Sequence, residues 1–241
     1  MALALLCAAC GGSADQDDGR IRAVVTEAFT SKDPSVCTQL MTQAYVEQRE
    51  SQRGRQAVLR CEQVVKDAAT ASTVNVRDVS VDGDHAEAEL THDGPDATFS
   101  PITLQLRRSG EGWKLDRLTA LTVDRQTFLR EVRRELSPAI ADCVMREYAL
   151  FSDDEIERAV LARSAALLSA PAVLCNVEPE LRRTDLPPAV VTCAVRGLRQ
   201  RLRDGRLGRL LGEDANSVQE FDEIAFEGEL RQVTGRCAAR Y

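Results

Sequence analysis

The sequence contains little of several residue types, and each shortage excludes a class of protein. No apolar run reaches the roughly 18 residues that a membrane-spanning helix needs. Histidine occurs twice, and no cysteines beyond residue 10 have the Cys-x-x-Cys spacing, which argues against a zinc site. Positive charge is not in excess either, since the net charge of −7 argues against general binding of nucleic acid. We therefore expect no metal, no cofactor and no nucleic-acid partner.

The chain nevertheless has enough apolar residues to fold. Of its 241 residues, 44% are hydrophobic, 29% are charged and only 4% are aromatic. These proportions exclude a disordered or collagen-like chain. The length predicts one large domain or two modest ones, with a sizeable core.

The start of the chain resembles an export signal. It reads MALALLCAAC and is followed by Gly-Gly-Ser and an acidic stretch. A short apolar run that ends in small residues and a cysteine resembles the lipobox of bacterial lipoproteins, where a peptidase cuts before the cysteine and the thiol carries the lipid. The resemblance implies a signal peptide over residues 1–9, shortened at its start, a lipid on Cys10 that binds the membrane, and a polar tether over residues 10–19. Cys7 departs from the usual leucine, and the basic segment of a signal peptide is missing.

Two other interpretations of the start remain open at this point. Cys7 and Cys10 have the spacing of a redox or metal-binding pair, but a thioredoxin-type pair needs a strand before it and a helix after it. The N-terminus could also have no special role. The lipoprotein interpretation places the protein outside the cytoplasm, anchored to the outer face of the bacterial cell membrane.

Residues 20–121 are predicted to form an α+β domain that begins with helices. Apolar residues recur at helical spacing in three segments: from Ile21 to Phe29, in a short segment after Pro34, and from Arg55 to Ala69. Asp17 or Asp18 is expected to cap the first of these helices. Cys37 and Cys61 lie on the inner faces of neighbouring helices, so we expect a disulfide between them. The loop-entropy model gives such a bridge a stabilisation of roughly 3 kcal/mol.

The period of the apolar residues changes to two from Val74 onward, which is typical of strands. Asp82-Gly83-Asp84 predicts a hairpin between the first two strands. Two more strands follow, one from Ile102 to Leu106 and one from Trp113 onward. The domain is therefore expected to pack helices on an antiparallel sheet.

The order of these elements resembles a known superfamily. Three helices followed by an antiparallel meander that ends in Gly-Trp-Lys-Leu-Asp resemble the nuclear transport factor two-like (SnoaL-like) superfamily, and more narrowly a domain of many actinobacterial lipoproteins. The helix pair Cys37 and Cys61 and the V-x-V-x-G-D-x-A pattern from Val79 also match. The resemblance implies a curved sheet that wraps around a long helix to form a cone with a pocket. Such cones host isomerases, dehydratases and hydrolases as well as non-catalytic binders, so the fold does not decide the function.

One residue is a weak candidate for catalysis in such a pocket. His92 is in phase with the apolar residues of its strand, with Tyr45 and Asp67 as conceivable companions. An isomerase-type site needs a carboxylate base and proton donors aimed at a developing oxyanion, and no such constellation occurs at a diagnostic spacing. The alternative is that His92 simply ends its strand. His85 is expected to face solvent.

Residues 122–241 are predicted to form an all-α domain of about five or six helices, held together by disulfides. Helix starts are indicated at Asp124, at a capping box from Ser152 to Glu155, at Pro188, and at a second capping box from Ser217 to Glu220. Pro138, Pro171 and Pro179 are expected to interrupt helices.

This domain contains a faint repeat, with copies over about 139–188 and 189–241. At an offset of 50 residues, Cys143-x-x-Arg146 aligns with Cys193-x-x-Arg196. The simplest account is one disulfide per copy, which joins Cys143 to Cys175 and Cys193 to Cys237. A disulfide between the copies, such as Cys143 with Cys193, is the main alternative.

Arginines are concentrated in the segment 196–209. Arg196, Arg199, Arg203 and Arg206 are candidate residues of an anion-binding site for phospholipid head groups or cell-wall polyanions. The alternative is a solvated helix face, balanced by acidic residues nearby.

Together these features favour a non-catalytic envelope lipoprotein that binds a small apolar ligand or a protein partner. A second hypothesis is an isomerase or dehydratase that uses the cone pocket, and a third is a structural envelope protein without a ligand. A buried polar cluster with a strongly shifted carboxylate would favour the enzyme. A pocket filled by apolar side chains would argue against it.

Overall fold

The chain folds into two compact units, one ending at Thr122 and one beginning at Val123. In the computed structural model, the described residues are 12–67, 70–94, 97–110, 112–162, 165–203 and 223–241. The division expected from the sequence, after residue 121, lies next to this boundary.

Four helices precede the sheet of the first unit. They are α1 (Gly12–Thr30), α2 (Val36–Gln39), α3 (Gln43–Glu50) and α4 (Gly54–Asp67). The sequence predicts three of them, and α3 is the addition. Its buried residues are Tyr45 and Val46, so it has little of the apolar periodicity that marks a helix. Its N-cap, Thr42, accepts a hydrogen bond from the Tyr45 N–H over 3.2 Å.

The predicted polar tether over residues 10–19 is wrong from Gly12 onward, because α1 already includes these residues. Asp17, expected as the cap of the helix, lies inside it and is only 9% exposed. Hydrogen bonds from Arg108 and Trp113 of the sheet reach Asp17 and fix this part of the helix. The predicted signal peptide and Cys10 lie outside the described residues.

Four strands form an antiparallel meander in the order β1-β2-β3-β4. They are β1 (Val74–Asp82), β2 (His85–His92), β3 (Phe99–Ser109) and β4 (Gly112–Val123). The predicted hairpin joins β1 to β2, and Gly83 in its turn takes a φ of +59°, which favours glycine. The register of this pair shifts between Val76 and Asp78, which is why the valine row of β1 changes phase there.

Apolar side chains of α1 and of the sheet are buried in the first unit. The fully buried ones are Ile21 and Val25 of α1, Ala88 and Leu90 of β2, Leu104 and Leu106 of β3, and Leu115 of β4. Trp113 is also buried, at 2% exposed. The core of the first unit is therefore a packed apolar layer on one face of the sheet.

Six helices make up the described part of the second unit. They are α5 (Arg125–Glu135), α6 (Pro138–Tyr148), α7 (Asp153–Leu161), α8 (Ala165–Arg183), α9 (Pro188–Arg203) and α10 (Glu223–Ala238). Asp124 caps α5 by accepting hydrogen bonds from two N–H groups of its first turn, and the Ser152 capping box begins α7, as predicted. The second predicted capping box, Ser217 to Glu220, lies outside the described residues.

The prolines of this unit do not all interrupt helices. Pro138 separates α5 from α6 and stands in the first turn of α6, as expected. The expected interruptions at Pro171 and Pro179 are wrong, because both residues lie inside α8. Each proline removes a backbone donor, and the burial of Leu174 and Leu181 in the unit's core offsets that loss.

The predicted repeat is visible in α6 and α9. Both helices begin at a proline, Pro138 and Pro188, and a cysteine occupies the same position in each. Equivalent positions are also buried in pairs: Ala141 and Val191, Val144 and Ala194, Tyr148 and Leu198. The matches expected at 204 and 210–211 lie outside the described residues.

Disulfides join helices within each copy of the repeat. Cys143 of α6 bonds to Cys175 of α8, and Cys193 of α9 bonds to Cys237 of α10. In the first unit, Cys37 of α2 bonds to Cys61 of α4. The alternative bond between Cys143 and Cys193 is therefore wrong.

Candidate functional site

The described cysteines are all paired in disulfides. The Cα atoms are 6.1 Å apart in the Cys37–Cys61 bridge and 5.8 Å apart in each of the other two. Both cysteines of the first bridge, Cys37 and Cys61, are buried. In each of the other two bridges the buried cysteine is the C-terminal one, Cys175 or Cys237. Several structural disulfides are typical of a protein that folds in an oxidising compartment outside the cytoplasm.

His92, the candidate catalytic residue, ends β2 and faces α1. The centroid of its ring lies 5.1 Å from that of Phe29 in α1. Of its suggested companions, Tyr45 is buried in α3, while Asp67 is exposed at the end of α4. These positions agree with the interpretation that His92 ends a strand. His85 is exposed, as expected.

The first unit also contains a polar cluster that the sequence analysis missed. Arg108 of β3 donates to the Asp17 carboxylate over 2.7 Å, and the Trp113 Nε1–H donates to it over 3.1 Å. The guanidinium lies 4.4 Å from the centroid of the Trp113 ring. The Arg108 and Trp113 donors hold the pKa of Asp17 below its ordinary value. These hydrogen bonds anchor α1 to the sheet.

Asp93, directly after β2, plays a similar part by binding the segment before β1. Its carboxylate accepts hydrogen bonds from the Ser72 hydroxyl over 2.6 Å and from the Ser72 and Thr73 N–H groups over 2.8 Å each. The Ser72 hydroxyl and the Thr73 N–H lower the pKa of Asp93 to about 2. Asp93 therefore remains charged under physiological conditions and ties the start of β1 to the end of β2.

The second unit has a groove of about 690 Å³ between α9 and α10, which we call the arginine groove. Four arginines line it: Arg196 and Arg201 on α9, Arg236 on α10, and Arg240 just beyond the end of α10. Tyr241 also lines it. No aspartate or glutamate side chain occurs among the described residues that line this groove.

The two helices that form the arginine groove approach each other closely. A Cβ atom on Gly197 would lie 2.7 Å from Cγ1 of Val233, which is tighter than real contacts allow. The disulfide between Cys193 and Cys237 lies beside this contact and also lines the groove. Glycine at position 197 and the disulfide thus fix the spacing of the two walls.

The four predicted anion-binding residues have different positions. Arg196 lines the arginine groove and is exposed. Arg199 does not line it, since its Nε donates to the buried Glu147 carboxylate of α6 over 2.8 Å. The side chain of Arg203 and the whole of Arg206 lie outside the described residues. Arg236 and Arg240 were missed because they belong to a helix distant in the sequence.

The described residues contain neither a metal-binding cluster nor a membrane-spanning helix. No group of three or more histidine, cysteine, aspartate and glutamate side chains is placed there to hold a metal ion. No helix in that part of the chain is long and apolar enough to cross a bilayer.

One solved structure of the superfamily expected from the sequence is similar to the chain. It is an NTF-2-like protein of unknown function from Silicibacter pomeroyi, with 19% sequence identity and a TM-score of 0.31. The alignment covers 44% of this chain and 99% of that protein. No protein-family model and no curated protein matches the chain. The assignment to the superfamily therefore stays a resemblance.

Proposed function

We propose that this protein is an exported, non-catalytic binding protein of the bacterial cell envelope, anchored to the outer face of the membrane by a lipid on Cys10. The observation that carries the proposal is the pairing of all the described cysteines in three disulfides. Structural disulfides persist outside the reducing cytosol. The MALALLCAAC start, with its lipobox-like end, supplies a route of export.

The interior of the first unit supports binding rather than catalysis. The buried side chains of α1 and of the four strands are apolar apart from Asp17. The carboxylate on this side, Asp17, is held charged by Arg108 and Trp113. A general base needs a pKa near the operating pH, and Asp17 is moved in the opposite direction.

The proposal also treats the first unit as a nuclear transport factor two-like domain. The order of the elements supports it, since helices tied by the Cys37–Cys61 disulfide precede a four-stranded meander. Binding is then assigned to surface grooves. One groove of about 580 Å³ lies beside Cys37 and is lined by Thr38, Arg55 and Lys114. The arginine groove is a second one among the described residues.

The membrane attachment of two matched variants tests the anchor. Both are expressed from the protein's own gene in its native host, and the cells are fractionated. Cys10→Ser removes the thiol that accepts the lipid, whereas Cys7→Ser removes a thiol three residues away and leaves the acceptor in place. We expect Cys10→Ser to move from the membrane fraction to a soluble extracytoplasmic fraction, and Cys7→Ser to stay with the membrane.

Two outcomes would contradict the proposal. If Cys10→Ser remains as tightly attached to the membrane as Cys7→Ser, the lipid anchor is wrong. If the wild-type protein is found in the cytosol, export is wrong. The remaining alternative is a structural envelope protein without a ligand. Unlike the proposed binding protein, it would bind neither of the anionic probes described below.

A further inference from the structure

The arginine groove carries more positive charge than the carboxylates among the described residues neutralise. Arg201 is paired with Glu229 and donates to Gln232 over 2.9 Å, so its charge is compensated. Arg196, Arg236 and Arg240 are exposed and have no ion-pair partner among the residues that the structure describes. Three guanidinium groups therefore face solvent around one concavity. This arrangement differs from a solvated helix face, where charges are spread along a convex surface.

The walls of the groove fix the backbone positions from which these arginine side chains extend. Arg236 on α10 and Arg240 just beyond its end lie on one wall, and Arg196 on α9 lies on the other. The Cys193–Cys237 disulfide and the close contact at Gly197 limit how far the walls can separate. A ligand would thus meet donors from both sides without first having to bring the two helices together, which lowers the cost of binding.

The chemistry of the lining identifies the class of ligand. A guanidinium presents a planar fork of donors that matches the oxygens of a phosphate in a bidentate arrangement. The volume of about 690 Å³ exceeds what a single phosphate group needs, and Val233, Ala189 and Tyr241 provide apolar surface beside the arginines. A phosphate group that carries an organic part fits both features.

We infer that the arginine groove binds the phosphate group of a phosphate ester through Arg196, Arg236 and Arg240. This inference names a ligand class for the binding function proposed above and rests on it. Such a phosphate could belong to the head group of an anionic phospholipid or to a free phosphate ester. The chemistry of recognition is shared, and two probes distinguish the sources.

The test measures binding of both probes to the full-length oxidised protein. Glycerol 1-phosphate, titrated by calorimetry, represents the free ester, and vesicles of phosphatidylglycerol and phosphatidylcholine, measured by flotation, represent the lipid. The variant Arg196→Gln/Arg236→Gln/Arg240→Gln removes the three uncompensated charges. The control Arg182→Gln/Arg183→Gln/Arg231→Gln removes as many charges from exposed arginines of α8 and α10 that pair with glutamates on their own helices.

We expect the groove variant to weaken binding by about tenfold or more, since charge-assisted contacts are lost, and the control to change it by less than about threefold. Binding of vesicles alone identifies the lipid head group as the source, and binding of glycerol 1-phosphate identifies a free ester. The inference is overturned if the wild-type protein binds neither probe, or if both triple variants lose binding equally.

A failure of this inference is distinguishable from a failure of the proposed function. Peptide mapping of the same preparation reports whether Cys193 and Cys237 are joined. Joined cysteines with no binding of either probe refute the anion site and leave the exported, disulfide-bonded protein in place. Six reduced cysteines in protein taken directly from cells refute the proposed export.

Discussion

Single charged residues in this protein act mainly as anchors between elements. Asp17 joins α1 to the sheet, Asp93 joins the two ends of the first hairpin, and Glu147 joins α6 to α9. Each carboxylate accepts more than one hydrogen bond or faces a guanidinium, so its charge is satisfied where it is placed. The partners of each carboxylate are far from it in the sequence and follow no regular spacing. For that reason the sequence could not indicate them.

Asp93 gives the first unit a defined response to acid. Its folded-state pKa of about 2 lies below the ordinary value of 3.8, so its stabilisation is complete above about pH 4 and is lost as the pH falls toward 2. We predict that Asp93→Asn lowers the free energy of unfolding at pH 6, with a difference from wild type that shrinks between pH 4 and pH 2. Urea unfolding at a series of pH values measures this difference.

Two further variants make the acid prediction specific. Ser72→Ala removes the hydroxyl donor and should reproduce part of the effect of Asp93→Asn. Asp15→Asn, which changes an exposed carboxylate of α1, is the matched control. If the difference in unfolding free energy between Asp93→Asn and wild type stays constant from pH 6 to pH 2, the hydrogen bonds from Ser72 and Thr73 do not stabilise the charged form of Asp93.

The ion pair between Glu147 and Arg199 predicts unequal effects of removing its two partners. The Glu147 side chain is 7% exposed and that of Arg199 is 40% exposed. Arg199→Met would leave a buried carboxylate unpaired, which we expect to lower the free energy of unfolding by about 2 kcal/mol. This loss is smaller than for a fully buried ion pair because Arg199 is partly solvated. Glu147→Leu/Arg199→Met should recover most of that loss. Urea unfolding would contradict this account if Arg199→Met were as stable as wild type.

At the scale of elements, the contact between α9 and α10 depends on a glycine. Gly197→Ala would place a methyl group 2.7 Å from Cγ1 of Val233, whose β-branched side chain has little freedom to move. Gly228 of α10 has open space around its Cα, so Gly228→Ala gains helix propensity without a clash. We predict that the two alanine variants differ in unfolding free energy by about 2 kcal/mol, with Gly197→Ala the less stable.

Thermal unfolding of the oxidised protein compares the two variants directly. Gly235→Ala, also in open space on α10, should behave like Gly228→Ala. The double variant Gly197→Ala/Val233→Ala should recover part of the stability by removing the clashing methyl. Equal stability of Gly197→Ala and Gly228→Ala would mean that the helices are farther apart than the structure has them.

The sequence predicts most elements of this protein, and its failures have physical causes. Strong apolar periodicity and helix caps correctly predict the first hairpin and the starts of α5, α7 and α9. Two predictions fail because tertiary contacts override local signals: α1 extends to Gly12 through bonds to Asp17, and α8 continues through two prolines. The missed helix, α3, has too few buried residues to show a period.

The candidate site was predicted less completely than the elements. The arginine-rich segment contains Arg196, which lines the groove, but it does not separate this residue from Arg199, which pairs with Glu147. That distinction depends on which element packs opposite each arginine. Arg236 and Arg240 reach the same groove because Cys193 and Cys237 bring α9 and α10 together. Only the three-dimensional arrangement shows this.

At the scale of the whole molecule, disulfides join helices within each of the two units. Their loops span 24, 32 and 44 residues. By the chain-entropy model, each bridge stabilises the folded state by about 3–4 kcal/mol. We therefore predict that reduction lowers the melting temperature of both units, which circular dichroism with and without dithiothreitol measures. An unchanged melting temperature after complete reduction would contradict a structural role.

The most direct test of the central claim is the state of the cysteines in cells. Cells are treated with a membrane-permeant alkylating reagent before lysis, and the protein is digested without reduction and analysed by mass spectrometry. The account predicts joined peptides that contain Cys37 with Cys61, Cys143 with Cys175, and Cys193 with Cys237. Alkylated, separate peptides at all six positions would contradict it.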